Sequence, residues 1–149
     1  MRTFFTGFAV AALIGLAGCS PPAEEVVAPA PKKSLARQAQ FYQGQEQVQS
    51  IVSGAIAVSP DGALQLTAAS IVPSAGYTDT GFEPRIYAAP PPDGVYEVDV
   101  VATRPAGVVA QVVTPLEIKG SWSGYKKERL KGVKMISRTN EVVAMLPAG

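Results

Sequence analysis

Histidine is absent from all 149 residues of this chain. That excludes Ser-His-Asp and Cys-His catalytic machinery and removes the commonest metal ligand. Cys19 is the only cysteine, so zinc sites built from His and Cys are excluded within the chain, as is an internal disulfide. Aromatic residues make up 7% of the chain and include one tryptophan. No Gly-rich phosphate loop follows a strand pattern, and there is no internal repeat or heptad. The N-terminal apolar run, residues 4–16, is about 13 residues long, short of the ~20 that a spanning helix needs.

What is present starts with that run. Arg2 precedes it, and Leu16-Ala17-Gly18-Cys19 closes it with small residues before a cysteine. This is the layout of a secretory signal peptide. The four closing residues follow the order aliphatic, small, small, Cys, and the segment resembles the lipobox of bacterial lipoproteins. The resemblance implies cleavage between Gly18 and Cys19, with a thioether-linked diacylglycerol and an N-acyl chain on Cys19. In the Gram-negative sorting rule an aspartate after the cysteine favours the inner membrane. Ser20 stands there instead, which implies an outer-membrane destination facing the periplasm. Two or more acyl chains anchor stably, since each buried methylene contributes ~0.8 kcal/mol.

Residues 20–33 hold four prolines and read as an extended tether. At ~3.1 Å per residue it spans roughly 40 Å. Ser34 is expected to cap a short helix to Tyr42, with Leu35, Ala39 and Tyr42 on one side. The predicted division is a signal peptide over residues 1–18, the lipidated cysteine and tether over 19–45, and a β domain over 46–149.

From Val48 onward, short valine-rich runs broken by turn residues carry a β signature. A first strand is expected over residues 48–58, with a break at Gly54. Pro60-Asp61-Gly62 is a turn, and the chain returns through Leu64 and Leu66. Residues 74–84 read as a loop and 85–88 as a short strand. Residues 95–103 alternate most clearly: Tyr96, Val98, Val100 and Ala102 on one face, Glu97, Asp99 and Val101 on the other. Residues 108–114 form a near-continuous apolar run, which predicts a buried neighbour. Pro115 argues for an edge or bulge, and residues 116–122 alternate again. Residues 133–138 and 141–146 predict a hairpin around Thr139-Asn140. Seven or eight strands at this spacing predict a mainly β fold, an antiparallel Ig-like sandwich or a partly closed barrel.

Charge is uneven. Residues 46–117 hold eight acids against Arg85 and Arg104, whereas residues 118–149 hold seven bases against Glu128 and Glu141. Cross-strand pairing is one expected outcome. The other is an anion-facing surface formed by Lys126, Lys127, Arg129 and Lys131 next to Trp122 and Tyr125, where rings and cations meet a headgroup, a sugar or an acidic polymer. Glu97 and Asp99 lie roughly 7 Å apart on one strand face, near glycosidase spacing, but a solvated face is the expectation. Asp79, Glu83 and Asp93 lack calcium-loop spacing. Gly76-Tyr77-Thr78 and Pro90 to Pro92 are read as loop packing, with a binding rim as the alternative.

No catalytic residue, metal or cofactor is therefore nominated. The expected function is a lipid-tethered, non-catalytic envelope binding or accessory module. Its partners are the membrane, through Cys19, and an envelope protein or cell-wall component, with no nucleic acid. The alternative is a glycan-binding or envelope-enzyme-inhibiting domain, and the third reading is a hydrolase using carboxylates.

Overall fold

The computed structural model describes residues 34–148. The expected signal peptide, Cys19 and residues 20–33 of the expected tether lie outside the described residues.

Ten strands form, and among the described residues there is no helix. They are β1 (Ala36–Arg37), β2 (Gln45–Gln47), β3 (Ser50–Val58), β4 (Leu64–Val72), β5 (Thr78–Pro84), β6 (Ile86–Tyr87), β7 (Val95–Thr103), β8 (Thr114–Trp122), β9 (Gly132–Ile136) and β10 (Glu141–Met145). One sheet runs β10-β9-β7-β2, with β5 on the other side of β7; a second runs β3-β4-β8; β1 pairs with β6. The mainly β, sandwich-like fold expected from the strand spacing is present.

The core lies between the two larger sheets. Tyr96, Val98, Val100 and Ala102 of β7 face Leu64, Leu66 and Ala68 of β4 and Ile118 of β8, with Val133 and Met135 of β9 alongside. Fully burying an aliphatic side chain contributes ~1.5–3 kcal/mol. The sheets come close at two glycines. A Cβ on Gly120 would lie 2.8 Å from the Phe82 ring, and one on Gly54 would lie 2.6 Å from Met135 Sδ. Both positions leave no room for a side chain without displacing a neighbour.

Several expectations need correction. Residues 34–42 form no helix; β1 lies there, paired with β6. Leu35 and Tyr42 are 70% and 75% exposed, so the segment has no apolar stripe to bury. Residues 74–84 are not all loop, because β5 pairs with β7 across a bulge between Thr78 and Gly81. The β3 irregularity falls between Ile51 and Ser53, just before Gly54. The sheets are not wholly antiparallel: β7 and β9 pair in parallel. The run over residues 108–114 is an exposed connection up to the start of β8, with Val108, Val112 and Val113 all solvent-facing. Pro115 does sit on an edge strand, as its missing donor requires.

The β9–β10 hairpin forms, but its two central residues are Arg138 and Thr139, because Ser137 N–H donates to Asn140 O. This turn is joined to the start of β3. Ile51 N–H donates to Asn140 Oδ1 at 2.8 Å, and Asn140 Nδ2 donates to Ile51 O at 2.7 Å. The Thr139 N–H and hydroxyl both donate to Gln49 O. One amide side chain thus stands in for a strand neighbour across the seam between β3 and β10.

Candidate functional site

The loop between β8 and β9 is fixed at two points. Tyr125 turns inward and its O–H donates to Gly62 O at 2.8 Å; Leu130 is buried. Lys126 O accepts from the N–H groups of Arg129 and Leu130, closing a turn. Between these anchors Lys126, Lys127, Glu128 and Arg129 are exposed, as is Lys131 just beyond. Lys131 N–H donates to Gly94 O at 2.8 Å, tying the loop to the Pro90–Gly94 connection that precedes β7. Among the described residues, Lys126, Lys127, Arg129 and Lys131 form no ion pair; the cationic partners in ion pairs are Arg85, Arg104, Lys119, Lys134 and Arg138. Lys127 reaches over Gly62, beside the Asp61 carboxylate. The charge asymmetry therefore divides: part is neutralised internally, and the loop is left cationic.

Four rings form a chain beneath this loop. Tyr87 and Tyr96 have centroids 5.4 Å apart, Tyr96 and Trp122 5.7 Å, and Trp122 and Tyr125 5.8 Å. Tilted and edge-to-face pairs of this kind contribute ~0.5–1.5 kcal/mol each beyond area burial. Trp122, expected either at the surface or in the core, is half-buried and lines a cleft of about 260 Å³ with Tyr87, Pro90, Tyr96, Gly124 and Lys126. Across Pro90 a second cleft, about 290 Å³, is lined by Pro91, Pro92, Glu128, Arg129 and Lys131. Pro90 is thus shared by the two clefts. Of the six residues nominated from sequence, Tyr125 is buried rather than on the surface, its hydroxyl bound to Gly62 O, while Trp122 is half-buried and Lys126, Lys127, Arg129 and Lys131 are exposed on the same stretch of chain. Sequence reasoning missed Tyr87 and Tyr96, whose strand positions gave no sign that they would meet Trp122.

No family model, curated protein or solved structure matches this chain. The site is therefore read from its own chemistry.

The Glu97–Asp99 face is not solvated, contrary to expectation. Glu97 is 7% exposed and Asp99 is fully buried. Arg85 grips Asp99 through Nε at 2.9 Å and Nη2 at 2.8 Å, and reaches Glu97 through Nη1 at 3.3 Å. Lys134, the register partner of Glu97 on β9, adds a contact at 3.4 Å; Gln47 Nε2 donates to Asp99 Oδ1 at 2.6 Å; Ser34 donates to Glu97 Oε2 at 2.6 Å. The hydrogen bond from Arg85 to Asp99 leads the effects that raise the guanidinium's affinity for its proton. Neither carboxylate lines a cleft described above, so the pair is an ion-pair network. Asp79, Glu83 and Asp93 are not gathered: among the described residues no group of three His, Cys, Asp or Glu side chains is placed to hold a metal.

A third cleft, about 260 Å³, lies near the far end of β7 and includes Glu46, Tyr77, Arg104 and Arg138. Tyr77 O–H donates to Glu46 Oε1 at 2.5 Å, Arg138 contacts Oε2 at 3.1 Å, and Arg104 pairs with the same oxygen. The Gly76-Tyr77-Thr78 segment thus does contribute to a rim, with Tyr77 turned onto Glu46. Burial pushes the Glu46 carboxyl up, but the hydrogen bonds from Arg104 and Tyr77 and the two guanidinium charges outweigh it and hold it below the ordinary 4.5. A depressed folded-state value contributes stability above the unfolded-state value, and that contribution is lost as pH falls through the folded one. Glu46→Gln should therefore destabilise by roughly 1 kcal/mol at neutral pH, since both arginines are largely exposed. The gap to wild type should close as pH drops below 4.5. Denaturant midpoints across an acid series would check it; a pH-independent gap would mean that Glu46 acts through packing.

Proposed function

We propose that this chain is an exported, lipid-anchored envelope protein whose β domain acts by binding an anionic envelope component. The anchor is the lipid on Cys19, at the outer membrane facing the periplasm, and residues 20–33 are the tether. The working surface is the end of the domain formed by Trp122, Lys126, Lys127, Arg129 and Lys131, with Tyr125 buried beneath it. The observation that carries the reading is four exposed bases that form no ion pair among the described residues, on a loop pinned by Tyr125 and Leu130. The hydrolase reading loses its carboxylates to the Arg85 network.

The full-length Cys19→Ala chain tests both halves. It should leave the membrane fraction completely, because residues 4–16 are too short to span. Added to vesicles containing phosphatidylglycerol it should bind, and binding should weaken as salt rises, since exposed charges are screened within ~8 Å at physiological ionic strength. Replacing Lys126, Lys127, Arg129 and Lys131 with glutamine should abolish binding while changing stability by less than ~1 kcal/mol. Full membrane retention in high salt would remove the lipid as the anchor, and salt-insensitive binding would remove the basic loop as the contact.

A further inference from the structure

The cleft lined by Tyr87, Tyr96, Trp122 and Lys126 carries chemistry that the basic loop alone does not need. Its rings offer apolar faces. Two of its polar groups are already used inside the protein: the Tyr87 hydroxyl accepts from Glu97 N–H, and the Tyr125 O–H donates to Gly62 O. The other two, the Trp122 indole N–H and the Tyr96 hydroxyl, have no hydrogen-bond partner among the described residues and are not among its sealed, unpartnered side-chain atoms. Lys126 stands at the rim with an ammonium that makes no ion pair. Pro90, at the start of the triple proline, stiffens the opposite wall.

This set selects its ligand by exclusion. A purely apolar ligand would leave two donors and a cation facing it without partners, which costs affinity. A small free anion would use Lys126 and leave the ring faces unused. A sugar ring fits both demands: its C–H face lies on an aromatic ring, and its hydroxyl, ring or amide oxygens accept from Tyr96 and Trp122. A carboxylate or phosphate on that ring then meets Lys126, with Arg129 and Lys131 beyond Pro90 for a longer chain.

We infer that the Tyr96–Trp122 cleft binds a pyranose bearing a carboxylate or phosphate, the repeating chemistry of an anionic envelope saccharide. The inference rests on reading this end of the domain as its working surface, and it names the ligand class. Such a ring has two sources, a cell-wall glycan or the headgroup of a glycolipid.

Trp122 is the only tryptophan in the chain, so its emission reports the cleft directly. The full-length Cys19→Ala chain is titrated with N-acetylglucosaminyl-N-acetylmuramic acid, with glucosamine 1-phosphate, with uncharged diacetylchitobiose and with acetate. At least one anionic sugar should give a saturable change, about tenfold tighter than chitobiose, because the charged contact supplies the difference. A response to the disaccharide points to the wall and one to the phosphosugar to a glycolipid; either supports the site. Lys126→Gln should bring the affinity for the charged sugar down toward that for chitobiose. Gly124→Leu should remove every response. Gly124 is not in the left-handed region, and a Cβ there would meet Trp122 Nε1 at 3.4 Å, which sets the added side chain against the tryptophan of the cleft. No saturable change with any sugar at millimolar concentration, an equal response to acetate, or a response that survives Gly124→Leu overturns the inference. Salt-sensitive vesicle binding persisting through such a failure leaves the basic-loop reading standing; sugar binding without vesicle binding overturns only the loop.

Discussion

Arg85→Ala should lower the unfolding free energy by about 3–5 kcal/mol, the cost of leaving one side of a buried ion pair uncompensated. Asp99 is fully buried and takes two hydrogen bonds from the guanidinium, and Glu97 takes a third. With Arg85 gone, Gln47 remains on Asp99, and Lys134 and Ser34 remain on Glu97. Gln47 supplies no charge. Glu83 stands opposite Asp99 in the register, so a further carboxylate lies across from the uncompensated one. A domain of this kind has only ~5–15 kcal/mol to lose, and the variant should populate unfolded chain under mild denaturant. Arg85→Met with Asp99→Asn should recover much of the loss, because replacing both partners removes the stranded charge. Denaturant unfolding of the single and double variants decides it. A single-variant loss under 1 kcal/mol would show water reaching Asp99.

The second large effect is expected at Asn140. Asn140→Ala should cost about 2–4 kcal/mol, since it removes partners from both the N–H and the C=O of Ile51, a residue only 3% exposed. Asn140→Asp keeps an acceptor for the Ile51 N–H but sets a carboxylate oxygen against the Ile51 carbonyl, so it should rescue little. Hydrogen exchange gives the local readout: the Ile51 amide should lose protection in the alanine variant, while amides in the β4–β8 ladder follow only the global change. Protection of Ile51 that survives would mean the seam is held by apolar packing alone.

Which parts of this could be read from the sequence follows from how local each signal is. The alternation in β7 and β8 is carried by neighbouring residues and was legible residue by residue, as was the turn at Gly62. The burial of the Glu97–Asp99 face was not, because the covering groups Ser34, Gln47, Arg85 and Lys134 are scattered along the chain. One signal was available: Arg85 is one of two bases in residues 46–117, and a lone cation in an acidic stretch has obvious partners. The valines at 108, 112 and 113 misled for the opposite reason. A short apolar run carries no record of whether a strand will come to cover it. The parallel pairing of β7 with β9 was equally hidden, since the intervening chain passes through β8 in the other sheet. Of the candidate site, the basic loop and its two aromatics were legible by density, but the four-ring chain required Tyr87 and Tyr96 to be brought from elsewhere.

The parallel β7–β9 pair also sets the order in which the domain can be completed. β7 is the central strand, with β5 available on one side before it, but its other neighbour along residues 95–99 is β9, and the seam beside β3 needs Asn140. Both come from the last eighteen residues. Until β9 and β10 have emerged, the nascent chain has an open central strand and cannot close its core. Non-local closure of this kind is slow. The topology thus writes a delay into the chain: however early the other strands form, the sheet stays open beside β7 until residues 132–145 arrive to fill it.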